Sequence, residues 1–147
     1  DLSELPEGAD VLIPNDPTNR GRALILLDKS GIIKLKDNQK LDSTIEDIAE
    51  NPKKLKVTAL NADQIPTRLG EVGAAVINGN FAMKNNLNPL TDSIFIEDKD
   101  SPYANVITVL KGNENDERVQ KLVKALQSEK IKKFIEEKYQ GSVVPAF

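Results

Sequence analysis

Three polar groups in this chain stand where a small zwitterion could be gripped. The first is the run Asn15-Asp16-Pro17-Thr18-Asn19-Arg20-Gly21-Arg22, directly after an apolar segment and at a helix start. A helix start presents free backbone N–H groups and the positive end of a dipole to an anion. Arg22 adds a planar, permanently charged fork that suits a carboxylate. The second is Asn78, directly after a second apolar segment, whose amide can both donate and accept. The third is Asn105, at the opening of a third such segment behind the Pro102 turn. In an open α/β sheet, ligands gather beyond the carboxyl ends of the strands, and the three groups are read by that rule. By position alone, each residue also has a plainer reading. Arg22 reads as a surface helix residue, Asn78 before Gly79 as a turn residue, and Asn105 as a residue that fixes a loop.

The residues that are missing narrow the chemistry further. The chain has no cysteine and no histidine. That removes thiolate nucleophiles, imidazole bases, Cys/His metal sites and any serine hydrolase that depends on histidine. Glu97, Asp98 and Asp100 lack the pattern of a calcium loop and read as a solvated turn. Gly70 and Gly73 lack the spacing of a phosphate-binding loop, and Glu136-Glu137 reads as surface charge. No carboxylate pair can be placed in one cleft, so the chain reads as a binder rather than an enzyme, with no cofactor and no metal. Twenty basic and 23 acidic residues leave a net charge of −3, which disfavours a nucleic-acid partner. The lysines at 53, 54 and 56, and at 130, 132 and 133, sit among acids and read as solvated faces.

The elements that must position these groups alternate between strand and helix. Ala9–Ile13 reads as a buried strand closed by Pro14. Asp16 can cap the helix that follows, Pro17 suits its first position, and Ser30-Gly31 ends it. Ile32–Lys36 is a short segment, and Ser43-Thr44-Ile45-Glu46 has capping-box spacing that predicts a helix through Ala49. Leu55–Leu60 and Gly73–Ile77 read as strands, with short helices over Ile65–Leu69 and Phe81–Asn86. Ser93–Glu97 and Asn105–Leu110 read as further strands, the second rich in Val, Ile and Thr. After an acidic turn, apolar residues from Val119 to Ile135 recur at helical spacing, with a shift near Ser128-Glu129 that suggests two helices. This order predicts an α/β fold with a largely parallel sheet. Asn86–Asp92, with Pro89, is the expected domain boundary. No apolar stretch approaches the ~20 residues needed to span a bilayer. The opening Asp1–Gly8 reads as the approach to a strand in mid-protein, so any export signal would lie upstream or have been removed.

Several motifs carry a resemblance to a known family. The runs 14–24 (Pro14 to Leu24), 75–82 (Ala75-Val76-Ile77-Asn78-Gly79-Asn80-Phe81-Ala82) and 97–105 (Glu97 to Asn105) closely resemble signatures of the methionine-binding lipoproteins. Glu50-Asn51-Pro52-Lys53-Lys54-Leu55 also matches in place, and the order and separations agree across essentially the whole chain. The resemblance implies the type II periplasmic-binding-protein fold, with one nearly complete lobe over 1–92 and the C-terminal part of the other lobe over 93–147. It implies an extracytoplasmic receptor, anchored to the membrane by an N-terminal lipid, that delivers methionine or a related compound to its cognate ABC permease. In that family the arginine of the first motif grips the ligand carboxylate, a position matched by Arg22. The asparagines matched by Asn78 and Asn105 contact the amino-acid backbone of the ligand.

Members of that family carry roughly a hundred more residues upstream, the size of a further lobe. The resemblance places there the lipidated cysteine, the first strands of lobe one and the aromatic residues of the side-chain pocket. An aromatic content of 4% agrees with a pocket built elsewhere. Uncovered sheet edges and apolar faces would then leave a dimer open to this chain. The same two-lobed fold also serves as the effector domain of transcription regulators, which is the alternative reading. The three motifs favour the receptor.

Overall fold

The computed structural model describes residues 2–98, 101–139 and 141–147. The chain divides into two compact units, 1–96 and 97–147. Both candidate groups that follow strands, Arg22 and Asn78, belong to the first.

The first unit is built on a parallel three-stranded sheet. Its strands are β1 (Asp10–Pro14), β4 (Lys56–Leu60) and β5 (Ala74–Ala75), in the order β4-β1-β5. The central strand pairs Val11 with Val57 on one side and with Ala74 on the other. Val11 and Ile13 on one face and Leu12 on the other are all buried, as expected of a strand covered on both faces. β5 is shorter than the expected Gly73–Ile77 strand, yet its pairing runs on past the ends. Gly73 N–H donates to Asp10 O at 3.0 Å and Val76 N–H to Leu12 O at 2.8 Å. All three strands are parallel, so their carboxyl ends share one edge.

Helix α1 (Pro17–Lys29) follows β1 and packs against it. The predicted start and stop are both present. The Asp16 carboxylate accepts from Asn19 N–H at 3.0 Å, and Pro17 occupies the first helical position. Ser30 closes the last turn, and Gly31 follows at φ 81°, a conformation that glycine adopts without a Cβ penalty. Ala23, Leu24, Ile25 and Leu27 form its buried face; a side chain such as Leu24 contributes about 2 kcal/mol by leaving water. Gly21 is required for another reason. A Cβ there would lie 1.9 Å from Leu41 O, so the backbone of the loop over 41–43 rests directly on the helix.

The expected helix through Ala49 is not formed. A single 3-10 turn covers Ile45–Asp47, and the chain then enters strand β3 (Ile48–Glu50). The capping register is also one residue later than predicted. Thr44 is the cap, and its N–H donates to the Asp47 carboxylate at 2.8 Å. β3 pairs antiparallel with β2 (Lys34–Leu35), so pairing with a distant segment overrides the local helix signal. Two lysines of the first basic cluster are likewise held by the N-terminal segment. Lys53 Nζ donates to the carbonyls of Ser3 (2.5 Å) and Leu5 (2.6 Å), and Lys54 pairs with Glu7 at 2.6 Å.

A 3-10 helix covers Pro66–Glu71, where a short helix over Ile65–Leu69 is predicted. Two short helices, α2 (Gly79–Lys84) and α3 (Pro89–Asp92), follow β5, the second inside the segment read as a linker. The strands predicted over Ser93–Glu97 and Asn105–Leu110 are absent among the described residues. A strand has no hydrogen bonds of its own and exists only where a neighbour supplies them. Val106 and Leu110 are instead 80% and 79% exposed.

The second unit holds helices α4 (Glu117–Leu126) and α5 (Glu129–Tyr139). The expected break between them is present. Asp116 caps α4 by accepting from Arg118 N–H at 2.8 Å, and Ser128 O accepts the N–H groups of Ile131 and Lys132 as α5 begins. Among the described residues, no helix is long and apolar enough to cross a membrane.

Candidate functional site

The carboxyl edge of the parallel sheet gathers four asparagines. β1 ends at Pro14 and β4 at Leu60, so Asn15 and Asn61 stand side by side. Asn15 Nδ2 donates to Asn61 Oδ1 at 2.7 Å, and Asn15 N–H donates to Leu60 O at 2.9 Å. On the other side of β1, the chain leaving β5 reaches Asn78, the residue before α2. Asn78 Nδ2 donates to Asn19 Oδ1 on α1 at 2.7 Å. Asn19 Nδ2 in turn donates to both oxygens of Asp16, each at 3.1 Å.

The oxygen of the Asn78 amide is the notable atom. It is buried, and no described residue donates a hydrogen bond to it. A buried amide oxygen is nearly always paired, so an orphan marks a place where a donor belongs. Arg22 lies three residues beyond Asn19 on α1, hence one turn along the same face, and is half-buried. The structure therefore brings Asn78 to the α1 face that carries Arg22. Asn105 belongs to the second unit, where it is exposed. The motif around it includes Lys99 and Asp100, which lie outside the described residues, as does part of the predicted Glu97–Asp100 acidic turn.

Two residues of this edge were not singled out from the sequence, Asn19 and Asn61. The strand-end rule carries a signal for Asn61, which directly follows Leu60 as Asn15 follows Pro14. Asn19 lies inside the first candidate run, but nothing local marks its contact with Asn78, 59 residues away.

Beneath the edge, charged contacts hold α1 in place. Asp28 is buried on the helix and accepts from Leu35 N–H (2.9 Å) and Asn38 Nδ2 (3.2 Å), with Lys34 Nζ at 3.5 Å. Burial pushes its carboxyl upward, but these partners outweigh it and leave the pKa below the ordinary value. Lys40 pairs with Asp47 at 2.8 Å. That hydrogen bond, with the Thr44 N–H, brings the Asp47 pKa down to about 2. Arg20 Nε donates to Ser43 O at 3.3 Å, closing the loop against α1. Among the described residues, no cluster of three or more acidic side chains forms a cage for a metal ion.

The family model for NlpA lipoproteins matches residues 1–147. The chain belongs to the NlpA lipoprotein family. A probable D-methionine-binding lipoprotein MetQ of Haemophilus influenzae is 46% identical over 143 residues, covering 97% of this chain and 52% of that protein. The D-methionine-binding lipoprotein MetQ of Escherichia coli is 45% identical over 145 residues, covering 97% of this chain and 54% of that protein. The chain thus spans about half the length of the curated relatives it matches. Among solved structures, a nutrient-binding protein from Burkholderia cenocepacia bound to methionine superposes with a TM-score of 0.86 at 48% identity. The match covers all of this chain and 62% of that one. A periplasmic substrate-binding protein of an ABC transporter from Coxiella burnetii gives 0.85 at 40% identity, over 98% of this chain and 60% of that one. These likenesses bear out the α/β periplasmic-binding-protein fold expected from the family motifs.

Proposed function

We propose that this chain supplies the ligand-gripping part of an extracytoplasmic solute receptor for an ABC importer, and that its ligand is methionine or a related amino acid or peptide. The observation that carries the reading is the hydrogen bond that ties Asn78 to Asn19, one turn before Arg22 on α1, at the carboxyl edge of the parallel sheet. In this reading Arg22 takes the ligand carboxylate through charge-assisted hydrogen bonds, while Asn78 and Asn105 contact the amino-acid backbone. The sheet edge supplies polar, fixed groups at the place where α/β folds bind small molecules. The names of the relatives, methionine-binding lipoproteins and a periplasmic substrate-binding protein, support methionine as the ligand class and a lipid-anchored, extracytoplasmic setting. The family match across the whole chain supports the receptor over the effector domain of a regulator.

Lobe two would run over 1–92 and the C-terminal part of lobe one over 93–147, a division that the compact-unit boundary after Ile96 supports. Capture would proceed by closure of the lobes around the ligand, with no bond made or broken. The test is calorimetry on the full-length protein with L-methionine, D-methionine and methionine dipeptides. Binding of at least one of them, weakened by about tenfold or more in Arg22→Ala, is expected. Failure of the intact protein to bind any of them, or unchanged affinity in Arg22→Ala, overturns the proposal.

A further inference from the structure

We infer that Asn78 is a site of spontaneous deamidation whose rate is gated by its contact with Asn19, so that the tie between α1 and α2 ages by a one-way chemical change. The inference concerns the chain's own chemistry and does not rest on the receptor reading. Asn78-Gly79 is the one Asn-Gly pair in the sequence. In such a pair the backbone nitrogen of the glycine attacks the side-chain carbonyl carbon of the asparagine. The N–Cγ bond forms, the Cγ–Nδ2 bond breaks, and ammonia leaves with the glycine's amide proton, giving a five-membered imide. Water then opens the imide at one carbonyl or the other, leaving aspartate or isoaspartate. Glycine favours the attack because no Cβ crowds its nitrogen or restricts its backbone. Gly79 is the first residue of α2, so its N–H has no acceptor within the helix and the nucleophile is not tied up there.

The fold holds this reaction back. Asn78 Nδ2, the leaving group, donates to Asn19 Oδ1 at 2.7 Å, and Asn78 Oδ1 is buried away from water. The backbone is also wrong for ring closure. Gly79 N must swing about the Cα–C bond until it eclipses Cβ, a position outside the favoured wells, whereas Asn78 sits at φ −65°, ψ 139°. Its carbonyl is fixed there by Phe81 N–H at 2.9 Å and Ala82 N–H at 3.0 Å. Reaction therefore proceeds from an opened state in which the Asn19 contact is broken and the first turn of α2, a helix of only six residues, is released. The product cannot return to the same contact. A carboxylate at 78 offers acceptors only, and it meets Asn19 Oδ1, because both oxygens of Asp16 draw Asn19 Nδ2 the other way, each at 3.1 Å. Isoaspartate further adds a methylene to the main chain at the residue that precedes α2.

The test incubates the full-length protein near neutral pH, folded and in urea, and follows conversion of the peptide that holds residues 78 and 79 by mass spectrometry, with isoaspartate located by isoaspartyl methyltransferase labelling. The unfolded chain is expected to convert at Asn78 ahead of its other asparagines, and roughly tenfold or more faster than the folded protein. Asn19→Ala removes one hydrogen bond and should speed conversion of the folded protein by about fivefold, with the rate in urea unchanged. Asp28→Ala, which weakens α1 away from this contact, should leave the folded rate within about twofold. The aspartate form, separated by anion exchange, should melt about 2 °C or more below the unaltered protein. Equal rates in the folded and unfolded protein, an unchanged folded rate in Asn19→Ala, or an equal acceleration in Asp28→Ala overturns the gate. An aspartate form that melts with the unaltered protein overturns the one-way change. The folded-against-unfolded comparison uses only the unaltered protein, so it decides the matter even where Asn19→Ala does not fold.

Discussion

Replacing Asp28 by alanine should loosen α1 from the segment beneath it. The carboxylate is only 3% exposed and sits between Leu35 N–H, the Asn38 amide and Lys34. Hydrogen bonds to a charged group each stabilise by about 1.5–3 kcal/mol. Removing the acceptor also leaves the N–H of Leu35, a residue only 5% exposed, without a partner, at a cost of about 1–3 kcal/mol. These contributions overlap, and about 3 kcal/mol is the expected loss for Asp28→Ala, a large share of the ~5–15 kcal/mol that holds a typical domain together. Asp28→Asn keeps an acceptor for Leu35 and should cost about half as much. Urea unfolding followed by circular dichroism gives the magnitude, and hydrogen exchange at the Leu35 amide gives the location. The pH dependence follows in sign. The folded pKa lies below the ordinary value of 3.8, so the unfolded chain binds more protons as the pH falls through that window. The stability from Asp28 is therefore fully present above about pH 4 and is lost as pH falls toward the folded pKa. Asp28→Ala should flatten that acid limb. A loss under about 0.5 kcal/mol, with unchanged exchange at Leu35, would refute the reasoning.

Three further outcomes are expected. Gly21→Ala drives a Cβ to 1.9 Å from Leu41 O and should cost about 2–3 kcal/mol in thermal unfolding; a melting temperature equal to that of the unaltered chain would show that the 41–43 loop does not rest on α1. In an NMR titration, the Asp47 carboxyl should show a midpoint near 2 and move up toward the ordinary 3.8 in Lys40→Ala, since the Lys40 hydrogen bond is the main cause of the depression. The exposed Val106, Ile107 and Leu110 predict that the 147-residue chain self-associates; sedimentation velocity showing only monomer across a wide concentration range would refute it.

Where local chemistry decides, the sequence alone was sufficient. Asp16, Pro17 and Gly31 mark both ends of α1 because caps and left-handed turns are made by residues within a few positions of each other. The apolar run Ala9–Ile13 announces a buried strand, and the shift near Ser128-Glu129 announces the break between α4 and α5. Family motifs around Arg22, Asn78 and Asn105 could be read in the same way, as short strings in order. Only the tertiary structure decided the rest, because it depends on partners that are distant along the chain. Ile48–Glu50 became a strand when Lys34–Leu35 came alongside it, whereas Asn105–Leu110, with equal or better strand composition, found no described neighbour and stayed irregular. The direction of the Asn78 amide is the finest case. Nothing in the sequence near residue 78 distinguishes its oxygen from its nitrogen. The distinction comes from Asn19, 59 residues away, through a hydrogen bond that exists only once β1 and β5 lie side by side.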